Sequence, residues 1–150
     1  MIGKAQLDAF LSCKNIAVVG VSRNQKKFSF MVYSALLNKG YHCIPVNPNL
    51  TEMEDQKCYP SLSSIKEPFD ACVILTAKKN TDVIFIEAKE LGIPHIWVQF
   101  MSETPLVKES ANTANQNIIF GKCMLMFLDP VVGAHKLHRF FNKLMGKYPV

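Results

Sequence analysis

The apolar run Ile16-Ala17-Val18-Val19 leads into Gly20-Val21-Ser22-Arg23 and then Asn24-Gln25-Lys26-Lys27-Phe28-Ser29. A strand that breaks at a glycine and passes through small and cationic residues into a helix is a place to hold phosphate. The first backbone N–H groups of a helix lack intrahelical partners, the helix dipole puts partial positive charge there, and small side chains let an anion come close. Gly20 and Ser22 supply the room, and Arg23, Lys26 and Lys27 supply the charge. A nicotinamide-dinucleotide fingerprint carries glycines two and five residues beyond the first; here Ser22 and Gln25 occupy those positions.

A second group of residues ends another apolar run, Ile44-Pro45-Val46-Asn47-Pro48. A nicotinamide site would place an acid there for the ribose hydroxyls, and none is present. Asn47 offers both a donor and an acceptor, while Pro45 and Pro48 fix a rigid corner that either lines an adenine pocket or is a stiffened turn. The histidines carry less. His42 and His95 fall in or beside strands, as packing or edge residues. His135 and His138 lie three apart without a Cys or carboxylate at ligand spacing, which favours a structural or interface role. Cys123, next to Lys122 beyond the last apolar run, is either a packed cysteine or a reactive thiol. No nucleophile and base stand together, so no catalytic constellation is expected.

The elements that must position these residues follow from the pattern. Apolar runs of strand length recur at 16–19, 41–46, 71–76, 95–99 and 117–120, mostly separated by helix-length segments. Continuous rather than alternating runs, with helices between, predict an α/β fold with a parallel sheet covered on both faces. Helices are expected over 30–39, stopping at Gly40, and over 81–91, with Asn80 as N-cap and Gly92 as stop. A third begins at Thr104-Pro105. The stretch 49–68 is irregular, with a short helical turn expected at 61–65. An amphipathic helix is expected over 131–146, its Ala134, Leu137, Phe141 and Leu144 sharing a face. One domain spans 1–150, with its core over about 15–121. In such a sheet, ligands sit beyond the carboxyl ends of the strands where strand order reverses, which nominates the loops 20–29, 47–50, 76–80 and 99–103.

Composition narrows the class. With 49% hydrophobic and 19% charged residues, the 150-residue chain reads as globular. A formal charge of +5 favours anionic ligands, but the cations are dispersed and no basic-aromatic platform appears, so nucleic acid is not expected. No apolar run approaches about 20 residues and no secretory signal is visible, so the expectation is a cytoplasmic protein with no membrane segment. Five cysteines without CxxC spacing suggest neither a disulfide framework nor a zinc module.

Taken in order, Gly20-Val21-Ser22 with Lys27 and Ser29, then Leu37 with Gly40-Tyr41 and Pro45-Val46-Asn47-Pro48, then Lys57-Cys58-Tyr59-Pro60-Ser61-Leu62 and a third strand with a polar end, form a set. That set resembles the small single-domain CoA-binding proteins related to the N-terminal domain of the succinyl-CoA synthetase α subunit. The resemblance implies a Rossmann-like, doubly wound, parallel five-stranded sheet with flanking helices and an extra C-terminal helix, binding coenzyme A or acyl-CoA. By motif position, Gly20, Val21, Ser22, Lys27 and Ser29 would hold the pyrophosphate, and Pro45, Asn47 and Pro48 would border the adenosine. Thr76 and Lys78 would close the site; Arg23, Lys26 and Phe28 belong to the same binding set. Two departures stand out. Where that family carries Gln and then a glycine-containing turn after the fourth strand, this chain reads Val98-Gln99-Phe100-Met101-Ser102, at the pantetheine end. Asp55 replaces a glycine before Lys57-Cys58.

The phosphorylated histidine and ATP-grasp machinery of the ligase belong to other domains, so the ligase reaction is not carried over. The expectation is a non-catalytic CoA or acyl-CoA module: a sensor, a carrier or an accessory subunit, pairing with itself or a partner through the C-terminal apolar helix. Two other readings are a small NAD(P)-dependent oxidoreductase and a redox-responsive protein in which Cys123 exchanges with the CoA thiol.

Overall fold

In the computed structural model, which describes residues 3–113 and 115–128, the chain runs α1 (Lys4–Leu11), β1 (Asn15–Val19), α2 (Phe28–Asn38) and β2 (His42–Val46). A hairpin of β3 (Glu52–Met53) and β4 (Gln56–Lys57) follows. Then come β5 (Ala71–Ile74), α3 (Lys78–Glu90), β6 (His95–Gln99), α4 (Pro105–Ser110), β7 (Asn117–Lys122) and a 3-10 turn at Met124–Met126. The five longer strands pair in parallel in the order β2-β1-β5-β6-β7. This is the α/β, Rossmann-like sheet with flanking helices that the sequence predicts. The helix expected over 131–146, with His135 and His138, lies outside the described residues.

Each of the five longer strands is buried on both faces, which is why its sequence runs apolar without alternation. Ile16 and Val18 of β1 face a core built with Leu7 and Phe10 of α1 and Val32, Tyr33 and Leu36 of α2. Ala17 and Val19 face the opposite core, with Phe85 and Ala88 of α3 and Val107 of α4. Trp97 anchors the first core, edge-on to Phe10 at 5.2 Å and to Phe127 at 5.5 Å between ring centroids. Its indole N–H is satisfied, donating to the Lys122 carbonyl at 3.2 Å.

Strand order reverses between β1 and β5, because β1 passes to β2 on one side while the next long strand is laid on the other. The crossover from β2 to β5 carries no helix. At 61–65 the expected helical turn is a single bend: Ser64 Oγ donates to the Ser61 carbonyl at 2.7 Å and the Ile65 amide to the Leu62 carbonyl at 3.2 Å. Before it stands the β3–β4 hairpin, which the sequence reading missed. Its two turn residues, Glu54 (φ 48) and Asp55 (φ 61), are both left-handed, as a two-residue primed turn requires. Tyr59 covers the outer edge of β2, donating its amide to the Pro45 carbonyl and accepting the Asn47 amide, each at 2.9 Å. Pro45 is compatible with its strand because β2 is the sheet's edge.

The start of α3 also differs from expectation. The helix begins at Lys78 with Ala77 as N-cap, and Asn80 sits inside its first turn, its amide bonded to the Ala77 carbonyl at 2.9 Å. Thr104 caps α4 as expected, its hydroxyl accepting from the Val107 amide at 3.3 Å, with Pro105 at the first helical position.

Candidate functional site

A cavity of about 870 Å³ opens above the carboxyl ends of β2, β1 and β5, over the point where strand order reverses. This is the place where open parallel sheets receive ligands. Its walls include Gly20, Val21, Ser22, Arg23, Lys27 and Ser29 from the first loop and the start of α2. Asn47 and Pro48 border it after β2, and Thr76, Lys79 and Asn80 after β5. Three of the four nominated loops therefore converge, and the fourth lies alongside: Ser102 Oγ donates to the Thr76 carbonyl at 2.7 Å.

Four predicted residues stand off the cavity. Lys26 is exposed beside it, Lys78 is exposed at the first position of α3, and Pro45 is buried within β2. Phe28 packs on the α2-side core. Lys79, expected with Lys78 among the cations near the pocket, lines it, as do residues the sequence reading did not assign: Asn24, Asn49, Asn80, and the trio Pro60, Ser61 and Leu62. The trio was visible as a motif, and Asn80 lies within a nominated loop. Only the three-dimensional path of the β2–β5 crossover makes the trio a wall.

The loops hold one another by hydrogen bonds rooted in their sequence. Asn47 is a strut: its Nδ2 donates to the Val21 carbonyl at 2.7 Å and its Oδ1 accepts the Asn49 amide at 2.8 Å. The donor and acceptor expected to be offered to a ligand are thus engaged in holding the first two loops together. Ser22 Oγ accepts the Asn24 amide at 3.2 Å, and Asn24 Oδ1 accepts the Lys26 amide at 3.0 Å, so short side chains fold the turn on itself. Arg23 reaches outward, donating Nε and Nη2 to the Glu52 carbonyl at 3.1 and 2.8 Å, and so ties the hairpin to this loop.

Gly20 has φ +92, and a Cβ there would lie 3.0 Å from Thr76 Cγ2 and 3.2 Å from the Leu75 carbonyl carbon. The glycine is needed where the loops after β1 and β5 cross, more than for ligand approach alone.

Two helix N-termini meet at the cavity. The N-caps of α2 (Lys27) and α3 (Ala77) both line it, and neither supplies a side-chain capping hydrogen bond. By contrast, α4 is capped by Thr104, and in α1 the Gln6 side chain accepts the Gly3 amide at 3.2 Å. Among the described α-helices, the two without side-chain help at the N-terminus are those that face the cavity. Their first-turn donors and dipoles suit an anion. The charged lining is Arg23, Lys27, Lys79 and one carboxylate, Glu87, whose Oε1 accepts the Ser63 amide at 2.9 Å.

Other candidate groups lie elsewhere. His42 and His95 start their strands, at the amino-terminal end of the sheet away from the cavity, where His42 Nε2 meets Glu67 Oε2 at 2.7 Å and His95 Nδ1 meets the Asn117 side-chain amide nitrogen at 3.0 Å. Burial pushes the Cys13 thiol up to about 11 and the Cys43 thiol up to about 12; Cys58 and Cys72 are raised by burial as well. Cys123 alone of the five is only half-buried, and none is in a disulfide. Among the described residues no group of His, Cys, Asp and Glu is arranged to hold a metal, and no helix is long and apolar enough to cross a membrane.

A parallel sheet with an anion-suited cavity at its switch point is an α/β, Rossmann-like architecture, and comparison with known proteins names the family. Residues 14–129 match the family described as CoA binding domain, and the chain belongs to that family. It is similar to an uncharacterized protein of Bacillus subtilis, 34% identical over 97 residues, covering 64% of this chain and 72% of the relative. It is also similar to the alpha subunit of an ADP-forming acetate–CoA ligase II of Pyrococcus furiosus, 33% identical over 88 residues. That match covers 58% of this chain but only 19% of the ligase subunit. Among solved structures, a conserved hypothetical protein of Pyrococcus furiosus matches with a TM-score of 0.69 and 32% identity, covering 74% of this chain and 96% of that one.

Proposed function

We propose that the protein is a non-catalytic module that binds CoA or an acyl-CoA in the cavity above β1 and β5, as a sensor, carrier or accessory subunit. The observation that carries this reading is the convergence of two helix N-termini without side-chain caps on a cavity rimmed by Arg23, Lys27 and Lys79. CoA bears a diphosphate and a ribose 3′-phosphate, and the two N-termini with the lysines offer separate places for them. In this reading Gly20, Val21, Ser22 and Ser29 frame the diphosphate, Asn47 and Pro48 the adenosine, and Thr76 the far wall. Family membership supports the same ligand class. A nicotinamide dinucleotide gains no comparable support, since β2 ends at Val46-Asn47 without a ribose-binding acid.

The test is calorimetric titration with CoA and with dephospho-CoA. CoA is expected to bind more tightly, and Lys27→Ala and Lys79→Ala each to weaken it about two- to fivefold, with smaller effects at high salt. Equal affinity for both ligands in the wild type would remove the lysines as 3′-phosphate partners.

A further inference from the structure

The turn after β6 presents two large apolar side chains to solvent beside the cavity: Phe100 is 51% exposed and Met101 70%. Met101 does so from a left-handed backbone (φ 72), a conformation that disfavours a long side chain and is ordinarily given to glycine. The turn is fastened to the cavity's wall at one point, and the α4 N-cap that follows it is fastened to α3 beside that wall. Ser102 Oγ donates to the Thr76 carbonyl at 2.7 Å, and Thr104 Oγ1 donates to Asp82 Oδ1, next to Val83. Thr76 and Val83 both line the cavity, and Val83 is itself 72% exposed. Phe100 and Met101 stand outside the cavity's lining, but the turn that carries them is bonded to its wall at Thr76, so an exposed apolar surface adjoins the polar, cationic lining. A single ligand with an anionic head and an apolar tail matches that pair of surfaces.

We propose that Phe100, Met101 and Val83 form the seat of the acyl chain of an acyl-CoA thioester, so that the protein prefers longer apolar acyl groups to free CoA. This rests on the CoA reading of the cavity and adds the class of acyl group. A methylene that is fully buried strengthens binding roughly fourfold, and one about a third covered on an open surface roughly 1.5-fold. Six further methylenes, from acetyl to octanoyl, therefore give roughly tenfold.

The experiment is titration of the intact chain with CoA and with acetyl-, hexanoyl- and octanoyl-CoA, repeated on Phe100→Ser and Met101→Gly. The second variant relieves the left-handed strain, so loss of fold does not confuse the result. Affinity is expected to climb about tenfold from acetyl to octanoyl in the wild type, and this ratio to shrink toward one in both variants. CoA binding with no chain-length gradient, or a gradient that survives both substitutions, would overturn the assignment and leave the CoA reading standing. Absence of binding by CoA itself would overturn both. Self-association of the wild type that Met101→Gly abolishes, with no acyl gradient, would assign the patch to a protein interface instead.

Discussion

At Gly20 the backbone and the space around it make the same demand. A side chain there would have to adopt φ +92 with its Cβ 3.0 Å from Thr76 Cγ2. Gly20→Ala is expected to lower stability by about 2 kcal/mol, read from denaturant unfolding, and to weaken ligand binding by pushing the loops after β1 and β5 apart. Asn47 acts on the other side of the same loop. Asn47→Ala leaves the Val21 carbonyl and the Asn49 amide without their partner, an expected loss of about 1–2 kcal/mol with a parallel loss of affinity. Cys43 fixes a pH dependence. Its folded thiol holds its proton up to about 12, three units above the ordinary value of 9.0. Below pH 9 both states keep the proton and nothing changes. Between pH 9 and 12 the unfolded chain releases it and the native chain does not, so stability falls as pH rises, by about 1.4 kcal/mol per pH unit for each such group. Unfolding curves at pH 8, 9 and 10 are expected to show this decline, and Cys43→Ala to make it shallower.

The hairpin is the element that tests how local sequence meets the site. Its turn residue Asp55 sits at φ 61 where a glycine would be unstrained. Asp55→Gly is expected to stabilise the protein by about 0.5–1 kcal/mol in the same unfolding measurement, without disturbing the Arg23 bonds to the Glu52 carbonyl. The same turn shows why parts of the fold were legible and parts were not. The five strands could be read because each is buried on both faces and its sequence is therefore an unbroken apolar run. The hairpin strands are two residues each, too short for a period, and their turn lacks the glycine that would announce it. The bend at 61–65 looked helical because its serines suit a helix start, but Ser64 spends its hydroxyl closing one turn. Asn80 has the chemistry of an N-cap, yet the N-cap of α3 is Ala77, three residues earlier. At the site, Gly20 to Ser29 could be nominated because strand, turn and helix start are consecutive. The wall of Pro60, Ser61 and Leu62 depends on a crossover that no local pattern encodes, and the engagement of Asn47 and Arg23 on neighbouring carbonyls depends on loop packing.

Across the whole molecule, the sheet order puts the residues of three separate loops at one switch point and sends the N-termini of α2 and α3 toward it, while the histidines that start β2 and β6 fall at the opposite ends of the strands. The net charge of +5 adds a weak general attraction for anions, but the two helix starts and their flanking cations give it a direction. The central claim is that this cavity takes CoA. Its most direct test is isothermal titration of the purified protein with CoA in low-salt buffer, with NAD, NADP and ATP as competitors. Saturable, one-to-one binding of CoA that the other nucleotides displace only weakly is the result predicted here. A preference for NAD or NADP, or no binding of CoA at all, would contradict it.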